Sequence, residues 1–283
     1  MVQVPAHTAI ELNDTDFGKI SRLIYDQCGI HLNEGKKELV KARLEKRVRK
    51  GGFKSFRDYY DYVLQDPSGQ EMICLLDSIS TNFTGFFREK KHFDALQSDI
   101  LPDLMARKKG RTNRLRFWSA ACSSGEEVYS IAMTLLEAIT NLQEWDLLIL
   151  ATDISTKVLK TAASGIYPCE RVQAIPAALL RKYFLKGEGC WRDHVKVKDS
   201  VKRYIRFERL NLIEPFPFED PFDCIFLRNV MIYFDKKTQT DLVNRFHACL
   251  GKDGYLIVGH SESLTGIEHS FKYVSPTIYR KQR

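Results

Sequence analysis

Leu115-Arg116-Phe117-Trp118-Ser119-Ala120-Ala121-Cys122-Ser123-Ser124-Gly125-Glu126-Glu127 is the stretch that decides the fold. Leu115 to Ser119 reads as a strand, the small residues after it as a loop, and about Glu127 to Ala138 as a helix. Leu147-Leu148-Ile149-Leu150-Ala151 follows, a short apolar run of the kind buried in a parallel sheet. The alternation continues with a helix near Ser155 to Ala163, strands at Phe222 to Leu227 and Tyr255 to Val258, and between those strands a helix near Lys237 to Leu250. Strands that alternate with helices predict a doubly wound α/β sheet.

Upstream of this stretch the periodicity is helical. Phe17, Ile20, Ile24 and Cys28 fall on one face, and Val40, Leu44 and Val48 repeat every four residues before Gly51-Gly52 stops the helix. Ser55 is a candidate cap for a helix carrying Tyr59, Tyr60, Val63 and Leu64. Met72, Ile73, Leu76 and Ile79 predict another helix, and Phe93, Leu96, Ile100 and Leu104 one more. The basic segment Lys108 to Arg114 reads as the link between two domains, a helical one over 1–108 and an α/β one over 109–283. Within the second, the alternating runs Val195 to Lys198 and Tyr204 to Phe207, with Gly187-Glu188-Gly189 before them, predict a small antiparallel insertion at about 186–207.

Composition agrees with two domains. The chain has 283 residues, 44% apolar and 28% charged, which disfavours disorder and fibrous repeats. No apolar stretch approaches the ~18 residues that cross a bilayer, and the first residues do not read as a secretory signal, so a cytoplasmic location is expected. The seven Cys form no Cys-x-x-Cys pair and the seven His no His-x-x-x-His spacing, so free thiols and no metal site are predicted. A net charge of +7 permits an acidic partner without identifying one; nucleic acid, an anionic membrane surface and an acidic protein all remain.

Ligands of doubly wound folds bind at the carboxyl ends of the strands. The first strand ends in the small loop after Ser119 and the second in Ala151-Thr152-Asp153, where an acid can hold ribose hydroxyls. The loop lacks Gly-x-Gly-x-x-Gly, so a nicotinamide cofactor is disfavoured. On spacing alone the segment reads equally as a nucleotide-ligand site or as a tight turn with a helix-capping Asp. No Gly-x-Ser-x-Gly elbow and no Walker loop occurs, which leaves hydrolase and NTPase chemistry without a starting point. Arg43, Lys46, Arg47 and Lys50 share one helix face on which acids are nearly missing, a pattern that suits an acidic partner better than a merely solvated face. Thr81 to Glu89 mixes polar groups and an Arg with aromatics, and reads otherwise as an interdomain packing hinge. Arg228 to Asp235 follows a buried strand, where packing and a structural ion pair are the plainer reading.

Taken together these segments resemble the chemotaxis receptor methyltransferases, the CheR family. The matches are Thr-Asn-Phe-Thr-Gly-Phe-Phe-Arg-Glu at 81–89, Ser-Ala-Ala-Cys-Ser-Ser-Gly-Glu-Glu at 119–127, Ala-Thr-Asp-Ile at 151–154, Asn211-Leu212, Arg-Asn-Val-Met-Ile-Tyr-Phe-Asp at 228–235 and Gly-His-Ser-Glu at 259–262. The resemblance implies a helical substrate-recognition domain joined to an S-adenosylmethionine-dependent methyltransferase domain with an antiparallel β-subdomain. It implies methyl transfer to glutamate side chains of chemoreceptors, with S-adenosylhomocysteine as product. It implies that Asn82, Thr84, Arg88, Glu127, Asp153, Asn211, Leu212, Arg228 and Asn229 bind the cofactor, and that Arg88 and Tyr233 position the reacting groups. By the same resemblance Arg43, Lys46, Arg47 and Arg49 face acidic receptor helices, and Gly187-Glu188-Gly189 grips a receptor's C-terminal pentapeptide. No nucleic-acid partner and no membrane insertion is expected.

A glutamate with a pKa of ~4.3 is already an anion at neutral pH and attacks a sulfonium methyl without a base, so no catalytic dyad is needed. Two other readings fit the charge and the fold. A nucleic-acid methyltransferase suits the basic helix, but 228–235 holds no Asn-Pro-Pro-Tyr-type site and no Pro-Cys nucleophile occurs. A non-catalytic adaptor that binds a receptor tail suits the fold, but the cofactor positions argue against it.

Overall fold

Among the described residues four α-helices and a 3-10 turn (Glu34–Lys36) build the first of two units, which span Met1–Thr81 and Asn82–Arg283. The computed structural model describes residues 10–80 and 83–282. The helices are α1 (Asp14–Cys28), α2 (Lys37–Lys50), α3 (Phe56–Gln65) and α4 (Gln70–Ile79). Asn13 and Ser55 cap α1 and α3, their side-chain oxygens accepting the N–H of Asp16 at 2.8 Å and of Asp58 at 3.1 Å. The apolar faces read for α1 (Phe17, Ile20, Ile24, Cys28) and α2 (Val40, Leu44, Val48) are buried, as are Tyr59, Val63, Leu76 and Ile79, whereas Tyr60, Met72 and Ile73 are half-buried and Leu64 is exposed.

The basic face of α2 differs from expectation. Arg47 forms a two-pronged ion pair with Glu71 of α4, one bond being Nη2 to Oε2 at 2.6 Å. Arg43 donates to the Ile79 carbonyl, and Arg49 pairs with Glu45 one turn earlier at 2.6 Å. Glu71 is distant in sequence and meets Arg47 only because α2 and α4 pack together. Lys46 and Lys50 remain exposed.

The second unit begins with one continuous helix, α5 (Lys91–Ala95), a π-helical turn (Leu96–Ile100) and α6 (Leu101–Lys108). The sequence reading placed this helix in the helical domain. The structure groups it with the sheet: Phe93, Leu96, Ile100 and Leu104 share a core with Leu115, Phe117, Ile131, Leu135 and Phe226. Its apolar stripe suits a sheet as well as a bundle, so periodicity does not choose between them.

Then come β1 (Arg114–Ala120), α7 (Glu126–Ala138), β2 (Asp146–Asp153), α8 (Thr156–Ser164), β3 (Ile166–Pro168), α9 (Ala177–Tyr183), β4 (Phe184–Lys186), β5 (His194–Val197), α10 (Asp199–Lys202) and β6 (Ile205–Arg209). The chain closes with β7 (Phe222–Leu227), α11 (Lys236–Cys249), β8 (Leu250–Val258), β9 (Phe271–Ser275) and β10 (Ile278–Lys281). The main sheet runs β6-β2-β1-β7-β8-β10-β9. Its first five strands are parallel; β10 pairs antiparallel to β8, and β9 antiparallel to β10. Strand order reverses between β1 and β7, the switch point at which such sheets bind ligands.

The small antiparallel sheet exists, but with other limits than 186–207. It consists of β3, β5 and β4, so it spans 166–197. Tyr204 to Phe207 is not part of it: β6 pairs parallel to β2, Ile205 opposite Ile149 and Arg209 opposite Asp153. As an edge strand β6 has one covered and one open side, and this gives it the alternation of an antiparallel hairpin strand.

Removing Arg47 should therefore act on stability before it acts on docking. Arg47→Ala is expected to cost about 1.5–3 kcal/mol, the worth of hydrogen bonds to charged groups, while Lys46→Ala should change little. Thermal unfolding of the two variants checks this; equal melting temperatures would refute it.

Candidate active site

Register brings the carboxyl ends of β1, β2 and β7 level. Ala120 lies opposite Thr152 on one side and Leu227 on the other. The next residues, Ala121, Asp153 and Arg228, therefore open onto one edge.

The β1–α7 loop is held tightly at that edge. Ala121 and Ser123 have left-handed backbones (φ 66° and 50°), as does Gly125 (φ 99°). A Cβ on Gly125 would lie 2.8 Å from the Tyr167 hydroxyl and 2.9 Å from the Ala162 methyl, so only glycine fits. Ser123 N–H donates to Asp153 Oδ2 and Ser155 N–H to Oδ1, both at 2.9 Å. Asp153 is buried and its carboxylate is fixed between the ends of β1 and β2. The Leu210 N–H donates to the Asp153 carbonyl at 3.1 Å, which brings the buried pair Asn211-Leu212 to the same edge.

On the β7 side a buried arginine organises the edge. Arg228 Nη1 donates to Glu127 Oε2 at 2.9 Å, while Nη2 donates to Glu89 Oε2 at 2.9 Å and to the Arg88 carbonyl at 2.6 Å. Ser119 Oγ donates to the other oxygen of Glu127 at 2.7 Å. Glu262 accepts the N–H groups of Asn229, Met231 and Gly259, each at 2.7 Å, and so ties the β7 and β8 ends together. Asn229 has a left-handed backbone (φ 59°), as do Phe87 (φ 52°) and Glu89 (φ 58°) on the opposing segment.

The carboxyls titrate apart. Burial pushes Glu127 up despite Arg228 and Ser119. Burial also raises Glu89, but Arg228 and Asn229 outweigh it and the net shift is downward. Burial raises Glu262 against the backbone N–H groups that it accepts. Burial and the Arg228 charge push His92, which lies beside Glu89, down to about 4.

The sequence-predicted residues fall as follows. Asp153, Asn211, Leu212, Glu127, Arg228 and Asn229 assemble at the strand ends. Glu126, the neighbouring acid, turns to Ser124 at 2.7 Å and to Arg171 of the inserted segment. Arg88 meets the edge through its carbonyl. Its guanidinium lies 5.5 Å over the Phe83 ring and donates to the Phe83 carbonyl at 3.0 Å. Thr84 and Tyr233 are half-buried, Tyr233 in a short 3-10 turn (Met231–Tyr233) after β7. Asn82 lies outside the described residues. Gly187, Glu188 and Gly189 form the β4–β5 connection, where a side chain on Gly187 would overlap the Trp191 carbonyl. Glu89 and Glu262 were not singled out, although both stand inside the quoted motifs; each pairs with groups far away in sequence.

A doubly wound sheet with a buried carboxylate ending its second strand and a close-approach loop after its first suits a nucleoside cofactor. With its antiparallel β10-β9 end and all-helical first unit, the fold is that of an S-adenosylmethionine-dependent methyltransferase. The first unit matches the CheR methyltransferase all-alpha domain over residues 15–80, and the second matches the CheR methyltransferase SAM binding domain over residues 82–280. The chain belongs to the CheR methyltransferase family. It is 42% identical to a chemotaxis protein methyltransferase of Borreliella burgdorferi over 96% of both chains. It is 39% identical to the chemotaxis protein methyltransferase of Escherichia coli K12, covering 95% of this chain and 92% of that one. A probable chemotaxis protein methyltransferase of Rhizobium etli is 41% identical over 91% of this chain and 96% of its own.

Glu262→Ala should leave buried N–H groups without an acceptor, at ~1–3 kcal/mol for each that stays unsatisfied. The melting temperature should fall and cofactor binding weaken, as Asn229 is released. Glu262→Gln, which keeps one carbonyl oxygen, should be milder in both. Calorimetric titration and thermal melting of the two variants decide it, and an Ala variant as stable as the parent would exclude this role.

Proposed function

We propose that the protein methylates specific glutamate side chains of chemoreceptors, giving glutamate methyl esters and S-adenosylhomocysteine. The observation that carries this reading is the match of both units, over nearly the whole chain, to chemotaxis methyltransferases. S-adenosylmethionine supplies the electrophilic methyl group when bound. Asp153, fixed by two backbone donors, is placed to accept the ribose hydroxyls. Thr84, Asn211, Leu212, Asn229 and the Glu127–Arg228 pair complete the pocket, with Asn82 assigned by resemblance alone. The substrate glutamate brings its own negative charge, so the chain has no proton to remove. Its task is to align carboxylate and methyl and to exclude water. Arg88 and Tyr233 take positioning roles, because an arginine that bound the nucleophile tightly would blunt it.

We assign receptor docking to α2 and receptor-tail binding to the Gly187-Glu188-Gly189 connection. Arg43, Arg47 and Arg49 already serve partners within the helical unit, so Lys46 and Lys50 carry the exposed part of the charge. The reaction belongs in the cytoplasm, where receptor helices are reached without crossing a bilayer. Among the described residues no helix is long and apolar enough to cross a membrane.

The test is transfer of labelled methyl groups to receptor fragments with and without their C-terminal pentapeptide, followed by base-labile release of methanol. Base-stable label, or label that enters RNA or DNA instead, would overturn the assignment. In the same assay Asp153→Ala should weaken cofactor binding by about 1.5–3 kcal/mol, roughly 10- to 100-fold, while the protein stays folded. Lys46→Glu with Lys50→Glu should suppress receptor methylation, leave cofactor affinity intact and reduce the salt dependence of the rate, since exposed charges are screened over ~10 Å at 0.1 M salt. Normal methylation by that double variant would show the face to be plain solvated surface.

A further inference from the structure

We infer that Glu89, His92 and His260 form a binding site for a divalent transition-metal ion of the zinc class. A ligand atom from each of the three lies within 4.8 Å of the others. Glu89 and His92 flank the turn into α5, and His260 follows β8, so the cluster exists only because the chain folds. The seven His show no metal spacing along the sequence, which is why no site was expected.

His92 is held by hydrogen bonding at Nε2. Nε2 lies 2.6 Å from Thr277 Oγ1. The Thr277 hydroxyl gives its single proton to the Pro276 carbonyl at 2.5 Å. In the tautomer in which that hydroxyl accepts from His92, Nε2 carries the ring proton and Nδ1 is a bare lone pair. His92 is 1% exposed, and Nδ1 has no hydrogen-bond partner. It faces Glu89 Oε2 at 3.4 Å, and in that tautomer two acceptors confront one another in the interior. Such an arrangement costs free energy unless a cation stands between them.

The surroundings match a metal site rather than a simple packing defect. A ligating histidine ordinarily donates its second nitrogen to a fixed acceptor, and Thr277 Oγ1 stands 2.6 Å from His92 Nε2 for that role. Glu89 is oriented by Arg228, by Asn229 Nδ2 at 3.3 Å and by the His260 N–H at 3.1 Å. The His260 ring lies edge-on to that of His92, with centroids 4.9 Å apart, and is open to solvent, which provides an entry path. Two imidazoles and one carboxylate select zinc-like ions over magnesium or calcium, and leave a fourth position for water.

The experiment uses the full chain, stripped of metal, with Cys169→Ser and Cys190→Ser so that the two exposed thiols do not bind the probe. Zinc is titrated against a chromophoric chelator, and cobalt(II) is titrated with its visible absorption recorded. The expected result is one equivalent bound at micromolar or tighter affinity, a cobalt spectrum without a thiolate charge-transfer band, and about tenfold or greater loss in His260→Ala. His260 is exposed, and the melting temperature of the metal-free His260→Ala protein should equal that of its parent. Millimolar binding, affinity unchanged in His260→Ala, or a thiolate band would overturn the site.

Discussion

One buried guanidinium holds the edge of the sheet together. Arg228 pairs with two carboxylates from different parts of the second unit, Glu127 at the start of α7 and Glu89 on the segment before α5. Its side chain is 2% exposed, so the charge is tolerated only because the pairing is good. Removing either partner from a buried pair costs about 3–5 kcal/mol, since the other charge is left uncompensated. The arrangement also fixes geometry, because Glu127, Glu89 and the Arg88 carbonyl must all lie within reach of one fork.

Around that ion pair the backbone is strained. Phe87, Glu89, Ala121, Ser123 and Asn229 are left-handed without being glycine. Each such residue costs of order 1–3 kcal/mol and persists only where the surroundings over-determine it. Here the surroundings are visible: Ser130 Oγ accepts the Phe87 N–H at 2.9 Å, Asp153 accepts that of Ser123, and Glu262 accepts that of Asn229. The strain turns the loop after β1 and the residues after β7 outward at the switch point, where a cofactor needs backbone and carboxylate at close range.

In the proposed reaction the nucleophile brings its own negative charge, which asks little of the protein in proton transfer and much in placement. Fixed carboxylates, a tight loop and an arginine with every prong but one engaged are the parts that placement requires. The helical unit shows the same division of labour. Arg47 and Arg43 hold α4, and Lys46 and Lys50 stay exposed.

The alternation of strands and helices, the buried faces of α1 and α2, and the chemistry-bearing loops at strand ends were all legible along the chain. Periods of two and 3.6 residues, caps and small-residue turns are local properties. What local order does not specify is the surface against which a face is buried. So the apolar stripe of the helix from Lys91 to Lys108 does not choose between a bundle and a sheet, and the alternation of β6 does not choose between the small sheet and the edge of the large one. The same limit hid the partners of charged groups. Arg47 finds Glu71, Arg228 finds Glu89 and Glu127, and His92 meets His260 only after distant segments pack together. Motifs named most of the candidate site, and the tertiary structure alone decided which acid balances which base, because that balance is struck between residues which only the closed fold makes neighbours.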